Sequence, residues 1–84
     1  MKKSISTREA KLVAEMLYQL RVSAGLRQSD LARKLQVPQS FVSKLESGER
    51  RVDIVELRTI LKHLETDIAE FASILEKKLN ETRT

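Results

Sequence analysis

Four polar side chains recur on one face of a short segment near the middle of the chain, and their chemistry suits contact with another polar surface. On a helical wheel, with a rotation of about 100° per residue, these side chains fall on the same side. The four are Gln39, Ser40, Ser43 and Lys44. An ordinary solvent-exposed face favours long charged residues or Ala, because Ser forms helices poorly. In a DNA major groove, Gln and Lys reach base edges and Ser can donate or accept. These four are therefore the candidate base-reading residues.

The opposite face of the same segment is apolar. Val42 and Leu45 lie on it together with Phe41. Two roles fit Phe41: contact with a thymine methyl group, or packing at the edge of the core. We favour the core edge, because Phe41 lies one helical turn before Leu45 on the apolar arc. The pattern predicts a helix over 39–46 with one face for the interior and one for a ligand.

No residue pattern in the chain supports catalysis. The sequence contains no Cys, so neither a disulfide framework nor a thiolate metal site can form. His63, the single histidine, has no second His or Cys to join it, and we interpret it as a surface or helix-cap residue. There is neither a Gly-rich phosphate loop nor a recognisable pair of catalytic carboxylates. We expect no enzyme activity, no cofactor and no metal.

The net charge of +4 is unevenly distributed along the chain. Residues 1–26 carry five basic and two acidic groups, and residues 27–51 carry six and three. Residues 52–64 balance, whereas residues 65–84 carry three basic and five acidic groups. Solvated surface charge alone could give a modest imbalance. Excess positive charge around the reading segment is nevertheless what a phosphate-binding surface requires.

Composition indicates a single small globular domain over residues 1–84. Apolar residues make up 40% of the chain and charged residues 33%, which is typical of a soluble protein. The start, MKKSIS, is followed by charged residues rather than by a long apolar run. We therefore expect neither a signal peptide nor a membrane span, and a cytoplasmic location.

Helix signals divide the chain into five segments. Ser6 to Glu9 is a capping-box pattern, and the apolar stripe after it ends at Gly25, where a left-handed backbone is cheap. A second helix is expected at about 28–34, before the reading segment. Asp53 and Asp67 each precede an acidic residue three positions later, which predicts two more helix starts. The expectation is an all-α fold of five helices with an extended C-terminal helix at about 67–80.

The fourth helix is expected to turn one stripe of aliphatic residues to the core. Its members are Ile54, Leu57, Ile60, Leu61 and Leu64.

As a set, the residues of the central region resemble the Cro and phage-repressor (XRE-type) helix-turn-helix DNA-binding family. The resemblance runs over roughly residues 20–64. It rests on Gln28, Leu31, Ala32, Val37, Gln39, Ser40, Val42, Ser43, Lys44, Glu46, Gly48 and Leu57. It implies a repressor-like fold whose helix-turn-helix unit spans about 28–46. The first helix of the unit crosses the DNA backbone and the second lies in the major groove, usually as a dimer on a near-palindromic site.

The resemblance also implies roles for individual residues. Arg21 pairs with Glu46 and so holds the first helix to the reading helix. Gln28 contacts a phosphate from the first turn of the second helix, although a solvent-exposed residue is the alternative. Independently of the resemblance, Arg50 and Arg51 lie in the turn after the reading helix, where we expect them to meet the flanking phosphates.

The sequence departs from the family at both ends of the second helix and at the start of the third. Gln36 replaces the usual Gly, so a left-handed backbone is expected there at a cost of order 1 kcal/mol. Pro38 replaces the usual Ser or Thr cap, but it presets φ for a helix. Arg27 stands where a cap residue is usual. Because a basic residue there opposes the helix dipole, Arg27 is assigned to the DNA backbone with Gln28, Arg50 and Arg51.

The last helix is longer than a small helical body needs to cover. Its outer apolar residues would be exposed in a monomer, so we predict that they form a two-fold dimer contact. The predicted contact residues are Phe71, Ile74, Leu75 and Leu79. The alternative is that this stripe folds back as additional core.

Three function classes follow from these observations. The favoured one is a sequence-specific transcriptional regulator, a small dimeric repressor that binds double-stranded DNA. The alternative is a module that binds a protein partner, like the antitoxins of this family, with the acidic and apolar last helix as its docking surface. The third class, an enzyme, has no supporting motif.

Overall fold

A computed structural model describes residues 7–81, and the side chain of Thr7 is excluded from that description. Five α-helices account for most of this range, which contains no strand: α1 Thr7–Ser23, α2 Gln28–Leu35, α3 Gln39–Ser47, α4 Ile54–His63 and α5 Ile68–Glu81. The predicted all-α, five-helix architecture is confirmed. Ser6, the predicted cap of the first helix, lies outside the described residues.

Backbone conformation ends α1 and α2 as the sequence predicts. Gly25 has φ 76° after α1, and the N–H of Leu26 donates to the carbonyl of Arg21 at 3.2 Å. Gln36 has φ 61° after α2, and the N–H of Val37 donates to the carbonyl of Ala32 at 3.0 Å. Gln36 therefore takes the left-handed conformation that a Gly usually supplies at this corner.

Side-chain caps begin α4 and α5. The carboxylate of Asp53 accepts from the N–H of Glu56 at 2.7 Å, and the carboxylate of Glu56 accepts from the N–H of Asp53 at 3.1 Å. Asp67 accepts from the N–H of Glu70 at 2.9 Å. These bonds satisfy N–H groups that have no partner within the helix.

All five helices contribute to one hydrophobic core. Leu61 of α4 and Val42 of α3 are the most completely buried large side chains. Ala32 of α2 is buried as well, and its small side chain lets α2 and α3 approach closely. The core members are Met16, Leu17, Leu31, Ala32, Val42, Leu45, Leu57, Ile60, Leu61, Leu64 and Phe71.

Two predicted positions of apolar residues are wrong. Phe71, assigned to the dimer contact, is only 3% exposed and belongs to the monomer core. Ile54, assigned to the core, is 62% exposed, because it occupies the first position of α4, beyond the turns that the other helices cover. Val55, beside it, is 72% exposed. The two most exposed large apolar side chains of the described residues therefore lie at the start of α4, and two others, Tyr18 and Val22, lie on α1.

Two of the three remaining predicted dimer residues, Ile74 and Leu75, lie on different sides of α5. Ile74 borders a groove with Leu12 and Leu20 of α1, whereas Leu75 borders another groove with Val13 and Ile54. Both side chains are partly buried and pack against the core. The alternative of additional core thus accounts for Ile74 and Leu75 in part.

One long-range hydrogen bond joins the ends of the described chain. The guanidinium of Arg8, in the first turn of α1, donates to the carbonyl of Leu79 in the last turn of α5 at 3.2 Å.

Replacing Gln36 by Gly should stabilise the protein. The left-handed backbone strains a side chain that has a Cβ, and Gly removes this strain while losing more backbone entropy on folding. We expect the free energy of unfolding to rise by about 0.5–1 kcal/mol, measured by urea denaturation. Lys34→Gly, within α2, should lower it by about 1 kcal/mol. A loss of stability in Gln36→Gly would contradict the strain argument.

Candidate nucleic-acid interface

Helix α3 presents its polar face to solvent. All four candidate base-reading residues are exposed, while Val42 and Leu45 on the other face are buried. Because the apolar face is fixed in the core, the polar face has one orientation. The four exposed residues are Gln39, Ser40, Ser43 and Lys44.

A buried ion pair holds α3 to α1. Arg21 donates from Nε and Nη2 to the two carboxylate oxygens of Glu46, at 2.7 and 3.0 Å. Their side chains are only 9% and 6% exposed. Hydrogen bonding to Glu46 raises the pKa of Arg21, and Nη1 of Arg21 also donates to the carbonyl of Leu26 at 2.7 Å. This is the pair that the family resemblance implies, and its two-point geometry is the strong form of such a contact.

The same carboxylate extends the network to α2 and to the reading face. Nε2 of Gln28 donates to Oε1 of Glu46 at 3.0 Å, and Oε1 of Gln28 accepts from Nε2 of Gln39 at 3.4 Å. Gln28 was assigned to a phosphate, yet its side-chain amide is directed inward to Glu46. Its backbone N–H, in the first turn of α2, is the group that suits a phosphate. The last bond, to Gln39, is exposed and longer than the others.

Arg27 has an acidic partner, Asp30, that is not among the predicted site residues. Its guanidinium donates to both carboxylate oxygens of Asp30, at 3.2 and 3.3 Å, while its own side chain is 79% exposed. Hydrogen bonds from the side chain and backbone of Arg27 hold the pKa of Asp30 at about 2. Asp30 is therefore ionised at neutral pH, and a phosphate would compete with it for Arg27.

Arg50 also has partners within the protein. Its guanidinium donates to the two carboxylate oxygens of Glu56, at 3.1 and 2.9 Å, and Cζ lies 4.4 Å from the centre of the Phe41 ring. The hydrogen bond from Arg50 lowers the pKa of Glu56, and Glu56 raises that of Arg50. Phe41 is partly buried against the core, as predicted. Arg51 is exposed.

The sequence offers a signal for Asp30 but none for the contact between Glu56 and Arg50. Asp30 follows Arg27 by three residues, a spacing at which side chains of one helical turn meet. Glu56 was recognised only as the cap partner of Asp53, and its second contact depends on how the turn after α3 folds.

Other kinds of site find no support in the described range. His63 is exposed. Residues 7–81 contain no cluster of three or more His, Cys, Asp or Glu side chains that could hold a metal ion. Within that range, each helix is too short or too polar to cross a bilayer.

Comparison with known proteins gives a family match over most of the fold. A helix-turn-helix family model matches residues 17–71. Among solved structures, an XRE-family-like protein from Pseudomonas syringae pv. tomato str. DC3000 is 36% identical, with a TM-score of 0.81 over 89% of this chain and 92% of that one. A search of the curated proteins finds no match.

A second similar structure is a restriction-modification controller protein, C.Esp1396I. The wild-type protein is 27% identical to this chain, with a TM-score of 0.80 over 89% of this chain and 97% of that one. The same controller protein as a tetramer in complex with its natural 35-base-pair operator is 28% identical, with a TM-score of 0.75, covering 89% of this chain and 95% of that one.

The fold and the exposed face of α3 define a class of DNA-binding transcription regulators. This chain belongs to the XRE-type helix-turn-helix family.

Removing Arg21 should destabilise the protein strongly. Arg21→Met leaves the carboxylate of Glu46 buried without a counter-ion, which typically costs about 3–5 kcal/mol. Urea denaturation measures the loss.

The matched control is the double variant Arg21→Met with Glu46→Leu. It removes both charges together, so it should be more stable than Arg21→Met alone. A double variant as unstable as the sum of both single variants would show that the two residues do not act as a pair.

Proposed function

We propose that this protein is a sequence-specific repressor that binds a near-palindromic operator as a homodimer, with α3 of each protomer in the major groove. One observation carries the proposal: the exposed polar face of α3, whose opposite face is locked into the core. Two such helices about 34 Å apart would enter successive turns of the major groove. Repression would result from occupancy of the operator, without a catalytic activity of the protein. Such a regulator acts where its operator DNA lies, and we propose a cytoplasmic location for it.

The hydrogen-bond network supports a base contact by Gln39. A carboxylate can only accept, so Glu46 orients Gln28 with its NH₂ inward and its oxygen towards Gln39. Gln39 therefore uses one N–H internally, and its oxygen and second N–H stay available. One acceptor and one donor on the same amide match the N6 amino group and N7 of adenine.

Phosphate contacts would come from the N-terminus of α2 and from the turn after α3. The backbone N–H of Gln28 and the exposed guanidinium of Arg27 lie at the first site, and Arg51 lies at the second. Such contacts fix the register on DNA without carrying sequence information. The positive charge of residues 27–51 favours this surface.

The dimer contact is best supplied by the start of α4. Ile54 lines a groove of about 440 Å³ with a mostly apolar surface, and its exposed neighbour in the chain, Val55, follows it. Leu75 borders the same groove, so one of the predicted α5 residues stays in the proposed contact. In a two-fold dimer the same patch of each protomer forms the contact. Here the exposed apolar pair of each protomer would pack against the apolar groove of the other. The controller protein named above is a tetramer on its operator, which supports assembly of more than one copy.

Replacing Gln39 by Ala should relax sequence preference at one operator position. Binding sites are first selected from random duplex DNA with the wild-type protein, at a fixed salt concentration. A lost base contact should cost about 1–3 kcal/mol at one base pair of each half-site and leave other positions unchanged.

Glu76→Ala, an exposed change on α5, serves as the control and should keep the full consensus. If Gln39→Ala lowered the affinity for every DNA sequence by the same factor, the base-reading role of Gln39 would be refuted. If the wild-type protein selects no consensus, the proposal of a sequence-specific regulator is wrong.

Val55→Lys should dissociate the dimer. The change places a charge in the proposed apolar contact without disturbing the core, and its positive charge does not repel DNA. We expect the dimer dissociation constant to rise at least about tenfold, equivalent to 1.4 kcal/mol, measured by sedimentation equilibrium. Ser73→Lys, at an exposed position of α5, is the control. The dimer proposal would be contradicted if the wild-type protein were monomeric both in solution and when bound to DNA.

A further inference from the structure

Arg50 lies in the turn between the reading helix and α4, where the sequence predicts a contact with DNA phosphate. The structure instead surrounds its guanidinium with groups of the protein. One face lies over the ring of Phe41, and one edge meets the carboxylate of Glu56. Nη1 also donates to the carbonyl of Arg51 at 3.0 Å.

Arg50 is attached to α3 at both ends of that helix. The ring of Phe41, in the first turn of α3, lies 4.4 Å from Cζ of Arg50. At the other end of the helix, the backbone N–H of Arg50 donates to the carbonyl of Lys44 at 3.2 Å. A stacked, partly desolvated guanidinium has a preferred plane, which a Lys ammonium lacks.

Arg50 is attached to α4 through Glu56, in the first turn of that helix. Glu56 accepts from Nη1 and Nη2 of Arg50 and, with the same carboxylate, from the N–H of Asp53. Because this carboxylate closes the capping box of α4, it is fixed to the backbone of α4. The planar fork of Arg50 therefore connects α4 to α3 with a defined geometry.

We propose that Arg50 is a positioning residue that fixes the orientation of α3 relative to α4 and thereby increases discrimination between DNA sequences. The inference rests on the proposed function. Base contacts require an accurately held side chain, and small shifts of its support weaken them. Contacts to phosphate are much less sensitive to such a shift, because they depend mainly on charge.

Glu56 separates this role from simple attraction of phosphates. If Arg50 acted only through its charge, Glu56 would oppose DNA binding, and Glu56→Gln would strengthen binding to any DNA. A Gln still accepts the capping bond from Asp53, so α4 keeps its start. The positioning role predicts that the same variant binds the operator less tightly.

The experiment compares Arg50→Lys, Glu56→Gln and Phe41→Leu with the wild-type protein. Affinity is measured for the selected operator and for a scrambled duplex of equal length, at several salt concentrations. The temperature is kept well below the melting temperature of each variant. We expect each variant to bind the operator about tenfold less tightly. Affinity for scrambled DNA should be unchanged, or higher for Glu56→Gln.

Two further measurements test the mechanism. The double variant Arg50→Lys with Glu56→Gln should lose little more specificity than either single variant, because both changes break one contact. Arg58→Lys, an exposed change on α4, should keep the wild-type ratio of the two affinities.

Several results would overturn the inference. One is stronger binding of Glu56→Gln to operator and scrambled DNA by the same factor. Another is an unchanged ratio of affinities in Arg50→Lys. Weakening by one factor on both DNAs would indicate a purely structural role and would contradict the inference as well. A wild-type protein that does not distinguish operator from scrambled DNA would instead refute the proposed function.

Discussion

The carboxylate of Glu46 is the group on which the arrangement of the first three helices depends. It belongs to α3, accepts two hydrogen bonds from Arg21 of α1 and one from Gln28 of α2. Burial of an unpaired carboxylate would cost several kcal/mol, on the order of the net stability of a small domain. A packing of α3 that separates Glu46 from its partners is therefore strongly disfavoured, and α3 has one orientation.

That buried charge also affects the surface. Because Glu46 offers only acceptors, Gln28 must direct its NH₂ group inward, and its oxygen in turn faces Gln39. The donors and acceptors that α3 presents outward are thus partly set by an interior group. The ion pair contributes to the specificity of the fold and to the polarity of the site at once, and a hydrophobic substitute could not supply the second effect.

Local rules explain what the sequence could predict. Helix ends at Gly25, Gln36 and Asp53 follow from backbone preference and from capping, which involve residues only a few positions apart. The exposed face of α3 follows from helical periodicity in the same way. Periodicity gives the angle of a residue around its helix but not the extent to which neighbouring helices cover it. This explains why Ile54 is exposed and Phe71 is buried.

Partners of the arginines were harder to predict because each carboxylate has two possible uses. Glu56 fulfils the local pattern of a helix cap, and the sequence gives no sign that it also meets Arg50 across the turn. The side chain of Gln28 likewise turns towards Glu46, 18 positions later in the chain. Contacts of this kind depend on the packing of α1, α2 and α3 together, which a local pattern does not contain.

The hydrogen bond between Arg8 and the carbonyl of Leu79 spans 71 positions, so nearly the whole chain lies within the loop that it closes. An exposed bond of this type contributes about 1 kcal/mol, less than the entropy lost in closing so long a loop in an unfolded chain. It can form only after the helices have brought its two ends together. The bond therefore holds the first turn of α1 beside the last turn of α5 only once the interior is packed.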